Sequence, residues 1–169
     1  MFLALLVLTQ SIAALADQAV SPDERLVIEA VLRSPELISQ TDGGRYDLAH
    51  DTHLSGLHCW TMPSQSETRI RLNGTNETFA LSEELIASAK ARNARSISVR
   101  RFTRPPRTAR NQYRSVDYAK RIAVSRPGIS QDGSTAIVAV EDESSGYTAY
   151  LERRAGIWSV VGRGCVWVI

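Results

Sequence analysis

All three histidines of the chain fall within nine residues, in His50-Asp51-Thr52-His53 and then His58-Cys59. Imidazole, carboxylate and thiolate are the common ligands of zinc. Three such groups and a water would make an open site able to polarise a carbonyl or activate that water. On a helix, His50 and His53 would share one face. Gly56 and the poor periodicity oppose a helix here, however, and the spacing matches no standard zinc motif. The plainer reading of His50, His53 and His58 is a solvated polar loop, so no metal and no cofactor are expected. The alternative that keeps the cluster is a small hydrolase or ligand-binding cone.

Other catalytic constellations have no support. No Gly-x-Ser-x-Gly elbow occurs. Gly43-Gly44 lacks the Lys-Ser/Thr of a phosphate-cradling loop, and no Gly-x-Gly-x-x-Gly opens a helix. Gly162-Arg163-Gly164 reads as a turn between strands. Glu141-Asp142-Glu143 lacks the pattern of a calcium loop and reads as a hairpin tip. Asn73-Gly74-Thr75 and Asn76-Glu77-Thr78 fit the N-glycosylation acceptor pattern, which matters only in a host that glycosylates exported chains.

Charge is unevenly placed. The net charge is +2, with 20 basic and 18 acidic residues. Residues 17–89 hold 12 acidic and 5 basic residues, whereas residues 90–126 hold 12 basic residues and the single acid Asp117. Arg100, Arg101, Arg104, Arg107 and Arg110 are therefore the candidate anion-binding residues, for phosphate, nucleic acid, acidic glycan or a lipid headgroup. The competing reading packs these residues beside the acidic amino-terminal half, where the fields cancel. Phe102, Tyr113 and Tyr118 are too few for a base-stacking platform.

The amino terminus reads as an export signal. Phe2 to Leu15 is apolar apart from Thr9, Gln10 and Ser11, and Ala14-Leu15-Ala16 precedes Asp17-Gln18. A run near 14 residues is shorter than the ~20 needed to cross the hydrocarbon. Residues 1–16 are expected to be a cleaved signal peptide and residues 17–169 a single domain without a transmembrane span, periplasmic or secreted. The absence of Lys and Arg ahead of the apolar run departs from the usual pattern. In an oxidising compartment Cys59 and Cys165 are expected to form a disulfide. That bridge would close a loop of 106 residues. A loop near this length is worth about 4.7 kcal/mol in the chain-entropy model, before strain.

The elements follow from pattern and punctuation. Ser21-Pro22-Asp23-Glu24 is a capping box with Pro at the first helical position, ahead of the stripe Leu26, Val27, Ala30 and Val31. Ser34-Pro35 ends or restarts that helix. A second helix runs from about Ser82 to Asn93. Ser82 caps it, Glu83 and Glu84 sit at its positive end, Lys90 and Arg92 at its negative end, and Asn93 is a left-handed terminator. Ile70 and Leu72 share one side of a strand before the Asn73-Gly74 turn. Ile97 and Val99 alternate in another strand. Val116 to Val124, Ala136 to Val140, Tyr147 to Leu151 and Trp158 onward then alternate between short turns, which is an antiparallel meander.

The stretch from about 80 to 167 resembles a type of small exported bacterial domain whose function is not established. The resemblance lies in Leu81-Ser82-Glu83-Glu84-Leu85 leading to Arg92-Asn93, in Val124-Ser125-Arg126-Pro127-Gly128-Ile129, in Asp132-Gly133-Ser134-Thr135-Ala136, and in the hairpin around Gly156-Ile157-Trp158. It implies a helix followed by a carboxyl-terminal meander and assigns no functional residue.

The expected fold is α+β, with two amino-terminal helices on a curved antiparallel sheet of about five or six strands. A cystatin-like or nuclear-transport-factor-like cone is one form of it. The expected function is a non-enzymatic binding or accessory domain. No partner and no oligomeric state is legible in the residues, beyond an anionic ligand or surface for the arginine-rich segment.

Overall fold

The computed structural model of the protein describes residues 20–35, 37, 46–49, 51–52, 69–99, 120–142 and 144–168. The first helix, α1 (Pro22–Leu32), opens on the capping box seen in the sequence. The Ser21 hydroxyl accepts from the Glu24 backbone N–H, and the Glu24 carboxylate accepts from the Ser21 N–H at 2.8 Å. Strands β1 (Tyr46–Leu48), β2 (Arg69–Leu72) and β3 (Thr78–Ala80) precede α2 (Glu83–Arg92). Then come β4 (Lys120–Val124), β5 (Gly128–Ile129), β6 (Thr135–Glu141), β7 (Ser145–Arg154) and β8 (Ile157–Val168).

The strands form one curled sheet, a half-barrel, in the order β1-β4-β6-β7-β8-β2-β3, with β5 on β6. From β4 to β3 every neighbour is antiparallel, as the short turns require. The β1 edge departs from this: Tyr46–Leu48 runs parallel to β4. The fold is the expected α+β fold on a curved antiparallel sheet.

The two helices lie on opposite faces of the sheet. Ala136, Val138 and Val140 of β6 pack with Val27, Ile28 and Val31 of α1, while Ile137 and Ala139 pack with Leu85 and Ala89 of α2. Successive side chains of a strand point to opposite faces, so these two sets define two cores. Thr135–Glu141 is accordingly buried on both sides. Its residues Ala136 to Val140 are an unbroken apolar run, as a doubly covered strand needs. β7 follows the same rule: Tyr147, Ala149 and Leu151 face the α1 core and Tyr150 the α2 core, where Phe79 meets it edge-on at 4.9 Å. Burial in that core pushes the Tyr150 hydroxyl above its ordinary pKa, with Glu152 adding to the effect.

A buried charge network joins the helices at one end of the sheet. Glu24 is 0% exposed. Its carboxylate accepts from Arg126 Nε at 3.0 Å, pairs with the second Arg126 nitrogen at 2.9 Å, and lies 3.4 Å from Arg92. Arg126 also donates to the Arg92 carbonyl, and its backbone N–H donates to Asn93 Oδ1 at 2.7 Å. Asn93 Nδ2 donates to the carbonyls of Ala89 and Arg126. This explains how α2 stops. Asn93 has φ −94 and is not left-handed as its type suggests. Its backbone N–H and its side-chain amide both donate to the Ala89 carbonyl, and the amide ties this last turn to Arg126 in the link between β4 and β5.

Two further expectations are corrected. Ile97 and Val99 are buried, but they flank an isolated bridge between Ser98 and Asp51 rather than lying in a strand. Gly162-Arg163-Gly164 is not a turn, because β8 runs through it without interruption. β2 crosses β8 there with Ile70 opposite Gly164 and Leu72 opposite Gly162. A Cβ at Gly162 would stand 2.8 Å from Ile70 Cγ2 and 2.9 Å from the Arg71 carbonyl oxygen. The glycines permit close approach and do not bend the chain back.

The predicted hairpin turns are present. Arg154 pairs with Ile157, and the two residues between them, Ala155 and Gly156, have φ 50 and 80. Both positive angles belong to the tight turn whose twist matches the strands. Asp142 accepts from the backbone N–H groups of Ser144 and Ser145, so this carboxylate closes the β6–β7 turn. Asp132 does the same before β6, accepting from the Ser130 hydroxyl and from the backbone and hydroxyl of Ser134. Those donors hold its pKa at about 2 instead of 3.8, the Ser130 hydroxyl contributing most. The sign follows from the depressed folded value: the turn's contribution is complete above pH 3.8 and is lost as pH falls toward 2. An NMR titration of the Asp132 carboxyl is expected to find this midpoint, and Asp132→Asn is expected to remove that part of the acid dependence.

Candidate functional site

Helix α1 and the β7–β8 hairpin turn build one apolar cleft, between α1 and the start of β8. Tight closure at Ala155-Gly156 sets the alternation of the strand that follows. Ile157 is turned outward, 69% exposed, and Trp158 inward, 6% exposed. α1 crosses this strand with Val27, Ile28 and Val31 against the sheet, which leaves Leu26 at the edge, 45% exposed. Leu26, Ala30, Pro35, Ile157, Trp158 and Val160 line a cleft of about 430 Å³, with Glu29 and Arg33 at its rim.

Trp158 is held from the side. Arg153, its cross-strand partner, places its guanidinium 5.8 Å from the indole centroid and pairs with Asp23 of α1 at 3.3 Å. A cation over a Trp face at this range is attracted by the ring's electron density. The contact therefore locks both the ring and the amino-terminal turn of α1. The indole Nε1 is buried and has no hydrogen-bond acceptor among the described residues. An unmet buried donor is costly, and a Trp N–H normally finds a partner. The Glu29–Arg33 pair, 3.7 Å apart and exposed, contributes little to stability and leaves one charge of each sign at the mouth.

The cleft offers an apolar floor and a mixed-charge rim, and one of its lining residues, Trp158, carries a buried donor with no acceptor among the described residues. That is equipment for holding a ligand. Among the described residues it is lined by no histidine or cysteine. Glu24, the most enclosed of the described carboxylates, is spent on Arg126, and Asp132 and Asp142 are spent on their turns.

His50, His53 and His58 lie outside the described residues, and so do Arg100, Arg101, Arg104, Arg107 and Arg110. Two neighbours of the first histidines are described. Asp51 is exposed, and Thr52 is buried with its hydroxyl accepting from the Ile97 N–H at 3.0 Å. Asp51 and Thr52 are thereby tied to the segment that follows α2. Of the two cysteines, Cys59 lies outside the described residues, and Cys165 sits half-buried on β8 beside the α2 core with φ 47. Residues 1–19, which carry the export reading, also lie outside them. No helix among the described residues is long and apolar enough to cross a membrane.

The cleft was not legible from pattern. In the sequence Trp158 reads as a core residue of a late strand and not as a ligand platform, and Leu26 as part of a buried stripe; the structure buries Trp158 as that reading expects, at the edge of the cleft. The nearest signal was the Arg154-Ala155-Gly156 turn, which sets which of Ile157 and Trp158 points inward. Comparison of the chain with protein-family models, with curated proteins and with solved structures finds no match.

Proposed function

We propose that the chain is an exported binding or accessory domain, periplasmic or secreted after cleavage at Ala16, that recognises its partner through the α1/β8 cleft. Trp158 carries this reading. A buried indole N–H with no acceptor among the described residues, in a cleft that the exposed Leu26 and Ile157 also line, is completed by a segment that brings an apolar side chain next to a carbonyl. Export rests on the apolar run Phe2–Leu15 and the small residues before Asp17. The Cys59–Cys165 bridge belongs to the same reading, because it needs an oxidising compartment.

Two measurements test it. Mass spectrometry of the exported protein is expected to show Asp17 at the amino terminus and a gain of two hydrogens on reduction. Intact protein beginning at Met1, with both thiols free, would refute export. Selection of displayed peptides on the folded chain is expected to yield sequences with an apolar residue beside an unhindered carbonyl. Their affinity should fall about tenfold or more in Ile157→Asp or Leu26→Asp, the loss expected when one aliphatic contact is removed. Peptides bound equally by a double variant at these positions would reject the cleft as the recognition surface.

A further inference from the structure

We propose that the far edge of the sheet carries an oxyanion site, built by Arg71 of β2 and Arg163 of β8 for a phosphate or sulfate group. These residues are direct cross-strand partners, and both side chains line a surface cleft of about 480 Å³ together with Asn73, Gly74, Thr75 and Asn76. It shares no residue with the α1/β8 cleft.

Three observations support the site. First, the pair is like-charged. Side chains at opposed positions of antiparallel strands lie within contact range, and like charges there destabilise the sheet. Neither arginine has a carboxylate partner among the described residues. Second, the strands approach unusually closely at this point. Gly162 and Gly164 flank Arg163 and leave no room for a Cβ against β2, so the backbone holds the two arginine positions directly opposite each other. Third, one of them is pre-oriented. Arg71 Nε donates to the Thr75 carbonyl at 3.1 Å and a terminal nitrogen donates to Asn76 Oδ1. A guanidinium has five N–H donors in a fixed fork. Arg71 therefore keeps donors to spare, and Arg163 keeps all of its own. Two arginines lining one open cleft suit a tetrahedral oxyanion, which accepts several charge-assisted hydrogen bonds and cancels the repulsion between them. Gly74, with φ 74 and open space where a Cβ would be, leaves the wall of the cleft unobstructed.

The site differs from the arginine-rich segment that composition singles out. Its two arginines lie 92 residues apart in the chain and meet through β2·β8 pairing.

The test uses inorganic phosphate as probe, at constant ionic strength set with sodium chloride. Phosphate is expected to shift the backbone amides of Arg71, Asn76 and Arg163 in a saturable way and to raise the melting temperature. Arg163→Gln should weaken that binding about tenfold or more. In phosphate-free, low-salt buffer the same variant should be at least as stable as the parent, since it removes the repulsion. Arg154→Gln, on an exposed arginine already paired with Glu152, should leave phosphate binding unchanged. Equal effects of phosphate and chloride, unaltered binding by Arg163→Gln, or a loss of phosphate-free stability in that variant would each overturn the proposal. Vesicles with and without an acidic phospholipid identify the source of the group: vesicle binding lost in Arg163→Gln makes it a headgroup, and binding of free phosphate alone makes it a soluble anion.

Discussion

Arg126→Met is expected to lower the unfolding free energy by about 3–5 kcal/mol, the usual consequence of removing one member of a buried ion pair. The reason lies in Glu24, which is 0% exposed and receives two of its contacts from Arg126, at 3.0 and 2.9 Å. Without them a carboxylate stays buried with only Arg92 at 3.4 Å and the Ser21 N–H. Glu24→Gln separates charge from capping. Glutamine still serves the third position of a capping box, so the α1 terminus keeps its bond while the Arg126 guanidinium loses its counter-charge. Its expected cost is about 3 kcal/mol. The double variant should be clearly more stable than the sum of the two single losses implies, because the second change removes a charge the first one left unpaired. Arg92→Gln should cost under about 1 kcal/mol, since that side chain is about one-third exposed and its pairing is screened by water. Urea unfolding of the four variants measures the cycle. Strictly additive losses for Glu24 and Arg126 would show that the network is not a coupled unit.

Glu24 also shows where reading a sequence stops. Its place in a capping box was legible, because Ser21, Pro22 and Glu24 stand in one local window and the bonds they make are local. Its second role was not, since Arg126 is 102 residues away and stood in the sequence as one residue of a turn. The same divide holds for Asn93. Its residue type marked the end of α2, but its geometry is decided by Arg126 backbone groups that come from a different element. The helices, the hairpin turns and the sheet's antiparallel character rest on periodicity and turn chemistry, and these emerged. The placement of one helix on each face did not, although Ala136 to Val140 held the clue: a run apolar at every position, not at every second one, needs cover on both sides. Sites fared worse than elements for the same reason. The α1/β8 cleft joins residues 26 and 158, and the oxyanion cleft residues 71 and 163, so neither has a local spacing to read.

Gly164→Ala is expected to cost about 3 kcal/mol or more, at the upper end of what overpacking a closed site does. A methyl there would collide with the Arg69 carbonyl oxygen and stand 2.9 Å from Ile70 Cδ1. The first of these is backbone, so no rotamer change relieves it, and β2 must move off β8. Among the described residues β2 is also the only strand neighbour of β3, so the β2–β3 hairpin would separate with it. Gly156→Ala provides the contrast. Gly156 has φ 80 and open space where its Cβ would stand, so its cost is conformational alone, about 1–2 kcal/mol. Hydrogen exchange distinguishes the two mechanisms. In Gly164→Ala the Asn73 amide, which donates to the Val161 carbonyl of β8, should exchange much faster while those of β6 and β7 stay protected. In Gly156→Ala any acceleration should stay near the β7–β8 turn. Phosphate binding at Arg71 and Arg163 should vanish in the first variant and persist in the second, because only the first pulls the two arginines apart. A Gly164→Ala chain with parental exchange along β2 would show that this strand does not need the close approach. The glycine pair would then lose its explanation as the element that brings the two strands, and the two arginines on them, together.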